Sequence, residues 1–266
     1  MTIPEAGPVR WIPPLRLGGA WQMAIDSWLL DRAVQSPSPA EGALLRLYHW
    51  QRPTLSLGFH QQRIPPHWWE LAASGAIDLV RRPSGGRAVL HAGDLTYALV
   101  WPQASLRRRE AYALACDWLR QAFAGLGLPL RFGRQAPCRE RSSCFATSTA
   151  ADLVQADGSK RIGSAQLWRR GCLLQHGSIL MSPPAELWRE LFGHDPPALA
   201  PLPLQGEALV ERLRQVAAIH LPMAPTALDD RPLTAAELAQ IAPTLGRFRP
   251  EPPHRPPPCP GPPGPG

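Results

Sequence analysis

Residues 160–180 read KRIGSAQLWRRGCLLQHGSIL, and this stretch decides the architecture. Two strand-like runs, Lys160–Trp168 and Cys172–Met181, flank Arg169-Arg170-Gly171, which has turn chemistry. Strands joined by so short a link must pair antiparallel, because a parallel pair needs a crossover of a dozen residues or more. Folding back brings Gly163-Ser164-Ala165-Gln166 alongside Gln175-His176-Gly177-Ser178. Small residues facing one another leave room for a bound chain; the plainer alternative is a hairpin whose Ser and Gln face water. The stretch also opens with Lys160. The chain has 28 Lys plus Arg, of which 27 are arginine, so Lys160 is its only lysine.

Upstream, Asp157-Gly158 is a hairpin dipeptide, and it joins Asp152–Gln155 to the same meander. Further strands are expected at Leu44–Trp50, Thr54–Gly58, Ile77–Arg82, Ala88–His91 and Leu95–Trp101. Helical spacing marks Trp21–Val34, Pro65–Ser74, and a long segment from a Ser105 cap to about Gly125. Leu128–Cys144 reads as irregular. Downstream, Pro183–Phe192, Gly206–Ile219 and Thr234–Leu245 read as helices, the last opened by the capping box Thr234-x-x-Glu237. Helices and strands are mixed without strict alternation. The expected class is therefore α+β, with a mixed, largely antiparallel sheet flanked by helices. Residues 1–20 are expected to be an N-terminal arm, 21–248 one catalytic-size domain, and 249–266, almost all Pro and Gly, a disordered tail.

Composition narrows the class. With 266 residues and 44% hydrophobic side chains, a sizeable core can be buried. No run of 18 apolar residues suggests a membrane span, and no basic-then-apolar start suggests a secretory signal. Cys116, Cys138, Cys144, Cys172 and Cys259 are irregularly spaced, and in a chain read as cytoplasmic they are expected to be reduced thiols. The net charge of +7 suits an acidic protein partner or a solvated basic face. No nucleic-acid-binding motif accompanies it.

Two more stretches carry chemistry. Residues 81–99, RRPSGGRAVLHAGDLTYAL, pair a glycine turn with strands. Gly85 and Gly86 allow close approach of a backbone to a ligand, although glycine pairs also make ordinary turns, and no P-loop follows. Cys144 precedes Phe145; a nucleophile there needs a nearby cation to form its thiolate, and Lys160, 16 residues on, is placed to supply one. A competing arrangement, Cys138, Cys144, Cys172 and His176 around zinc, lacks the usual ligand spacing.

Taken together, QMAIDSWLL, LYHWQRPTLSLGFHQ, RRPSGGRAVLHAGDLTYAL, CFATST, KRIGSAQ and LLQHGSIL make the chain resemble the lipoate-protein ligase and octanoyltransferase superfamily. That superfamily shares its catalytic domain with biotin protein ligase. The resemblance runs from about Gln22 to Met181 and favours the cysteine-dependent octanoyltransferase branch. It implies transfer of an octanoyl group from acyl carrier protein to the lysine of a lipoyl domain in protein lipoylation. Glycine cleavage H protein and a 2-oxoacid dehydrogenase E2 are the acceptor types it implies. It also implies Cys144 as nucleophile and Lys160 as charge stabiliser and proton shuttle. Arg82, Ser84, Gly85, Gly86, His91, Gly163, Ser164, Ala165, Gln166, His176 and Gly177 would bind the acyl substrate, the backbone around Gly163–Gln166 facing the oxyanion. No cofactor or metal is implied for the transferase. The alternatives within the family are an ATP- and Mg-dependent lipoate ligase, whose accessory domain would be another chain, an amidotransferase, and a non-catalytic acyl-binding paralogue. The chain departs from the family pattern at Ala92, Ala98 and Ala146-Thr147-Ser148-Thr149, departures that bear on chain length and partner.

Overall fold

The computed structural model of the protein describes residues 7–36, 38–104, 106–133, 152–223 and 225–252. The strands are β1 (Val9–Leu17), β2 (Leu44–Trp50), β3 (Thr54–Leu57), β4 (Asp78–Arg81), β5 (Val89–His91), β6 (Asp94–Trp101), β7 (Arg131–Phe132), β8 (Asp152–Val154), β9 (Lys160–Arg169), β10 (Cys172–Leu180) and β11 (Leu228–Asp230). The helices are α1 (Gly19–Gln35), α2 (Pro39–Gly42), α3 (Pro66–Ala73), α4 (Arg108–Gly125), α5 (Ala185–Phe192), α6 (Gly206–His220) and α7 (Ala235–Ile241), the last continued by a 3-10 turn over Ala242–Phe248.

The hairpin of residues 160–180 forms as its sequence dictates. β9 and β10 pair antiparallel with Cys172 opposite Arg169, which leaves a two-residue loop, Arg170-Gly171, with positive φ at both positions. That geometry suits the right-handed twist of the flanking strands. β10 lies at the heart of an eight-stranded sheet, order β11-β1-β2-β6-β10-β9-β8-β7. All neighbours are antiparallel except β1, which runs parallel to both β2 and β11. A second sheet, β4-β3-β5, stands beside it. The expected α+β class with a mostly antiparallel sheet is what the chain adopts.

Each face of the large sheet is covered. Leu47, Tyr97, Leu99, Ile162 and Ile179 pack against Trp118 and Phe123 of α4 and Leu213 of α6. On the other face Tyr48, Ala98 and Leu174 meet Met23, Ile25 and Leu30 of α1, with Ile241 and Phe248 behind. The small sheet is sealed by Trp68 of α3 and Trp188 of α5, both fully buried, and shares that core with Leu180 of β10. Alternation along β6 and β10 thus sends successive residues into two different cores.

Several differences from the sequence reading have physical causes. The sequence suggests an arm over residues 1–20, yet Val9–Leu17 is a strand inside the main sheet. Pro13-Pro14 conceals it: the prolines cannot donate to a ladder, and the pairing with β2 slips by one residue between Ile12 and Leu15, the bulge at which proline is tolerated. The long helix starts at Arg108 with Arg107 at its N-cap position; Ser105, the expected cap, lies outside the described residues. The last helix keeps its capping box, Thr234 Oγ1 accepting from Glu237 N–H, but tightens into the 3-10 turn at Pro243. Among the described residues no helix is long and apolar enough to cross a membrane.

Candidate active site

A small pocket of about 50 Å3 opens on the α1 face of the large sheet, where the small sheet abuts it. Register explains why it exists. Ala165 stands opposite His176, and Gly163 opposite Ser178; Ser178 in turn faces Thr96, and Thr96 faces Tyr48. These residues share one face across four strands. The β9 end of that face carries almost no side-chain volume, and the space left is bounded by Met23 of α1 and by Tyr48 and Trp50 of β2.

Two buried carboxylates organise the polar wall. Asp26 Oδ1 accepts from Arg46 Nε at 2.9 Å, and its Oδ2 accepts from Tyr48 O–H at 3.0 Å and from His176 Nδ1–H at 2.8 Å. Burial by itself raises the Asp26 pKa, but Arg46, His176 and Tyr48 outweigh it, and the carboxyl sits below its ordinary value. His176 Nε2 meets Ser84 Oγ, so this relay runs from the α1 core to the glycine loop. The second relay is similar. Asp94 Oδ2 accepts from His91 Nδ1–H at 2.8 Å, Ser178 O–H at 2.7 Å and Thr96 O–H at 3.1 Å. His91 stacks on Trp50 at 4.0 Å between ring centroids. Burial lowers the His91 pKa more than Asp94 raises it, and Arg82 lowers it further. The neutral ring therefore accepts at Nε2 from Ser56 O–H, 2.8 Å away. Arg82 laces the loop together, donating to Ser56 O and Gly85 O, each at 2.8 Å, and to Arg87 O.

Lys160 begins β9. Its Nζ lies 2.8 Å from Asp152 Oδ1, and both side chains are buried. A bulge where β8 meets β9, between Leu153 and Val154, brings these ends together. Next to it, Arg161 donates to Leu180 O at 2.8 Å and to Ala200 O, tying the start of β9 to the end of β10. β8 pairs with β9 only as far as Gly163, so beyond that point no described strand takes up the outer edge of β9.

Of the residues singled out from sequence, Arg82, Gly86, His91, Gly163, Ser164, Ala165, His176 and Gly177 line the one pocket. Ser84 touches it through His176. Gln166 does not face it: its amide donates to Gln175 Oε1 at 2.8 Å, and Gln175 reaches Tyr97 O–H and the buried Cys116 thiol on the α4 side. Ser164 likewise bonds Tyr97 O–H at 2.7 Å. Gly85 is not among the lining residues. Cys144, the expected nucleophile, and Cys138 lie outside the described residues. The other two members of the zinc alternative are Cys172, packed in the α1 core, and His176, whose two nitrogens are taken by Asp26 and Ser84. The sequence reading missed Asp26, Ser56, Asp94 and Asp152. Asp26 and Asp94 each stood as an acid amid apolar neighbours (MAIDSWLL, GDLTYAL), a pattern that marks a buried, partnered charge.

A family model described as the lipoyl protein ligase A/B catalytic domain matches residues 19–197. The chain belongs to this family. The match runs from the start of α1 past α5 and includes every residue of the pocket. Among relatives, octanoyltransferase LipM of Macrococcus caseolyticus (strain JCSC5402) is 35% identical over 184 residues, covering 65% of either chain. Octanoyltransferase LipM of Bacillus subtilis (strain 168) is 32% identical over 195 residues, covering 69% of either chain. The chain thus spans about two thirds of the length of these curated relatives. The fold is shared with a T. acidophilum protein solved with bound lipoic acid, at TM-score 0.74 and 16% identity, over 90% of this chain and 95% of that one. It is also shared with a lipoate-protein ligase A solved with ATP, at TM-score 0.67 and 17% identity, over 90% of this chain and 95% of that one. The matched span contains the α1, glycine-loop and β9–β10 segments on which the sequence resemblance rests. The pocket those segments build is a property of this chain's own register.

Proposed function

We propose that this protein is an octanoyltransferase of protein lipoylation, working through a Cys144 thioester without ATP, metal or other cofactor. The acyl donor is acyl carrier protein, and the acceptor is the lysine of a lipoyl domain, such as glycine cleavage H protein or a 2-oxoacid dehydrogenase E2. One observation carries the reading: an apolar-ended pocket lies beside the strand that begins with the chain's only lysine, in a chain about one third identical to octanoyltransferases.

The chemistry follows from charge. A thiol of pKa about 8.5 is only a few per cent ionised at neutral pH. An ammonium that lowers that value by about two units stabilises the thiolate by roughly 2.7 kcal/mol. In the first half-reaction the Cys144 thiolate attacks the donor thioester carbonyl, and the carrier thiolate leaves as the thiol with a proton given up by the Lys160 ammonium. In the second, the acceptor ε-amine attacks the acyl-cysteine; the amide forms, and Cys144 leaves as the thiolate. The incoming amine must lose a proton, which returns Lys160, left neutral by the first half-reaction, to its ammonium form. Backbone N–H groups on the outer edge of β9 beyond Gly163 are assigned to the oxyanion. Met23, Tyr48 and Trp50 enclose the acyl chain, and the two histidine relays hold the loop of Arg82–Gly86 over it.

The test supplies two donors to the full chain with a lipoyl domain: octanoyl-acyl carrier protein alone, or ATP, Mg and free lipoate. The expected result is modification from the first only, with an octanoyl adduct on the enzyme that is lost in Cys144→Ala. Modification only in the presence of ATP, or an adduct unchanged in Cys144→Ala, overturns the reading.

A further inference from the structure

A second hollow, a groove of about 680 Å3, runs along the end of the large sheet. It shares the stacked pair Trp50 and His91 with the acyl pocket. At one end it is lined by Arg16, His49 and Arg52; at the other by Met181 and the segment from Leu199 to Gly206. Met181, at that second end, follows the register in which Ile179 stands opposite Ile162, and so lies across from Lys160 at the start of β9. The groove therefore begins where the reacting carbonyl is placed and ends in cations.

Among the described residues, only Arg52 of the two arginines has a carboxylate near it, and that pair is loose. Arg16 is exposed and donates only to Trp50 O at 3.2 Å, with no carboxylate partner among the described residues. Arg52 reaches Asp78 no closer than 3.9 Å. The acid in the lining, Asp94, is buried and already accepts three hydrogen bonds. The field of Arg16 reaches His49, whose pKa falls through burial and through that charge.

We propose that Arg16, with Arg52 and His49, binds the phosphodiester of a pantetheine thioester arm lying in this groove with its sulfur at the start of β9. The inference rests on the acyl-carrier reading above and assigns the place where that carrier's arm is held. Length supports it. In the strand order β2-β6-β10-β9, three steps of about 4.8 Å give roughly 14 Å from β9 to β2, where the Arg16 guanidinium sits over Trp50 O. A pantetheine arm has about 13 bonds between sulfur and phosphorus. At the roughly 1.1–1.2 Å per bond of an extended chain it spans about 15 Å. A guanidinium is also the side chain whose fork matches phosphate oxygens.

The experiment compares octanoyl-pantetheine with octanoyl-4′-phosphopantetheine as donors and follows acyl-enzyme formation by intact mass. The wild type is expected to favour the phosphorylated donor by roughly tenfold or more in kcat/KM. Arg16→Gln and Arg52→Gln should each shrink that ratio, and Arg16→Lys should restore part of it. Equal use of the two donors by the wild type, or an undiminished ratio in Arg16→Gln, overturns the assignment while leaving acyl transfer intact. Failure of both donors to acylate the wild type overturns the acyl-transfer reading and this inference together.

Discussion

The ammonium of Lys160 lies 2.8 Å from the Asp152 carboxylate, and neither side chain is more than 4% exposed. A pair so far from water is costly to break from one side, because the remaining charge stays buried. Lys160→Met, which removes the buried ammonium from Asp152, is expected to destabilise the fold by up to about 3–5 kcal/mol in chemical denaturation. Lys160→Arg retains a cation for Asp152 and is expected to fold, but a guanidinium does not exchange its proton in the working pH range. Its octanoyl transfer should fall by about a hundredfold or more, the usual contribution of a positioned acid–base group. Near-normal single-turnover transfer by folded Lys160→Arg would assign Lys160 to structure alone.

Much of this arrangement was legible in the sequence because its signals are local. Asp157-Gly158 and Arg170-Gly171 announce their turns, the alternation along β9 and β10 announces their pairing, and Thr234-x-x-Glu237 announces its cap. What stayed hidden depends on contacts distant in the chain. Pro13-Pro14 argues against a strand until β2 is seen to accommodate a bulge. β11 is three residues long and, among the described strands, pairs with β1 alone. Asp26 meets His176 across 150 positions, a partnership that neither residue's neighbours encode. Lys160 stood out by rarity, whereas Asp152 came into view only once β8 and β9 were paired.

Gly177 makes a prediction that the sequence supports only in part. It was expected to give room to a ligand, yet a Cβ there would lie 2.6 Å from Ser164 Oγ, 2.7 Å from Gly163 O and 2.7 Å from Tyr97 Cε1. The position is bare so that β9, β10 and β6 can close around the Ser164–Tyr97 hydrogen bond. Gly177→Ala should therefore destabilise by about 1–3 kcal/mol, the range for overpacking a filled interior. Adding Ser164→Gly should recover only part of this, because the Gly163 carbonyl cannot withdraw. Thermal and urea unfolding measure both; an unaffected Gly177→Ala would mean the strands yield more easily than their packing implies.

The two histidine relays predict a two-step loss of stability in acid. For His91, burial holds the folded pKa below 6.5, so as pH falls through about 6.5 the unfolded chain takes up a proton that the folded one refuses. Stability then declines by up to about 1.4 kcal/mol per pH unit per proton, until the folded pKa is reached. His49, shifted the same way, adds to this limb. Asp26 acts lower. Its folded pKa lies below 3.8, so its contribution is complete above the unfolded value and is lost as pH falls through the folded one. Urea midpoints from pH 7.5 to 2.5 should show both declines. His91→Gln should flatten the upper limb and Asp26→Asn the lower, and Asp26→Asn should differ most from the wild type near neutral pH and least at the acid end. A gap that widens toward acid would mean that Asp26 is not the carboxylate whose ionised form the Arg46–Tyr48–His176 cluster stabilises.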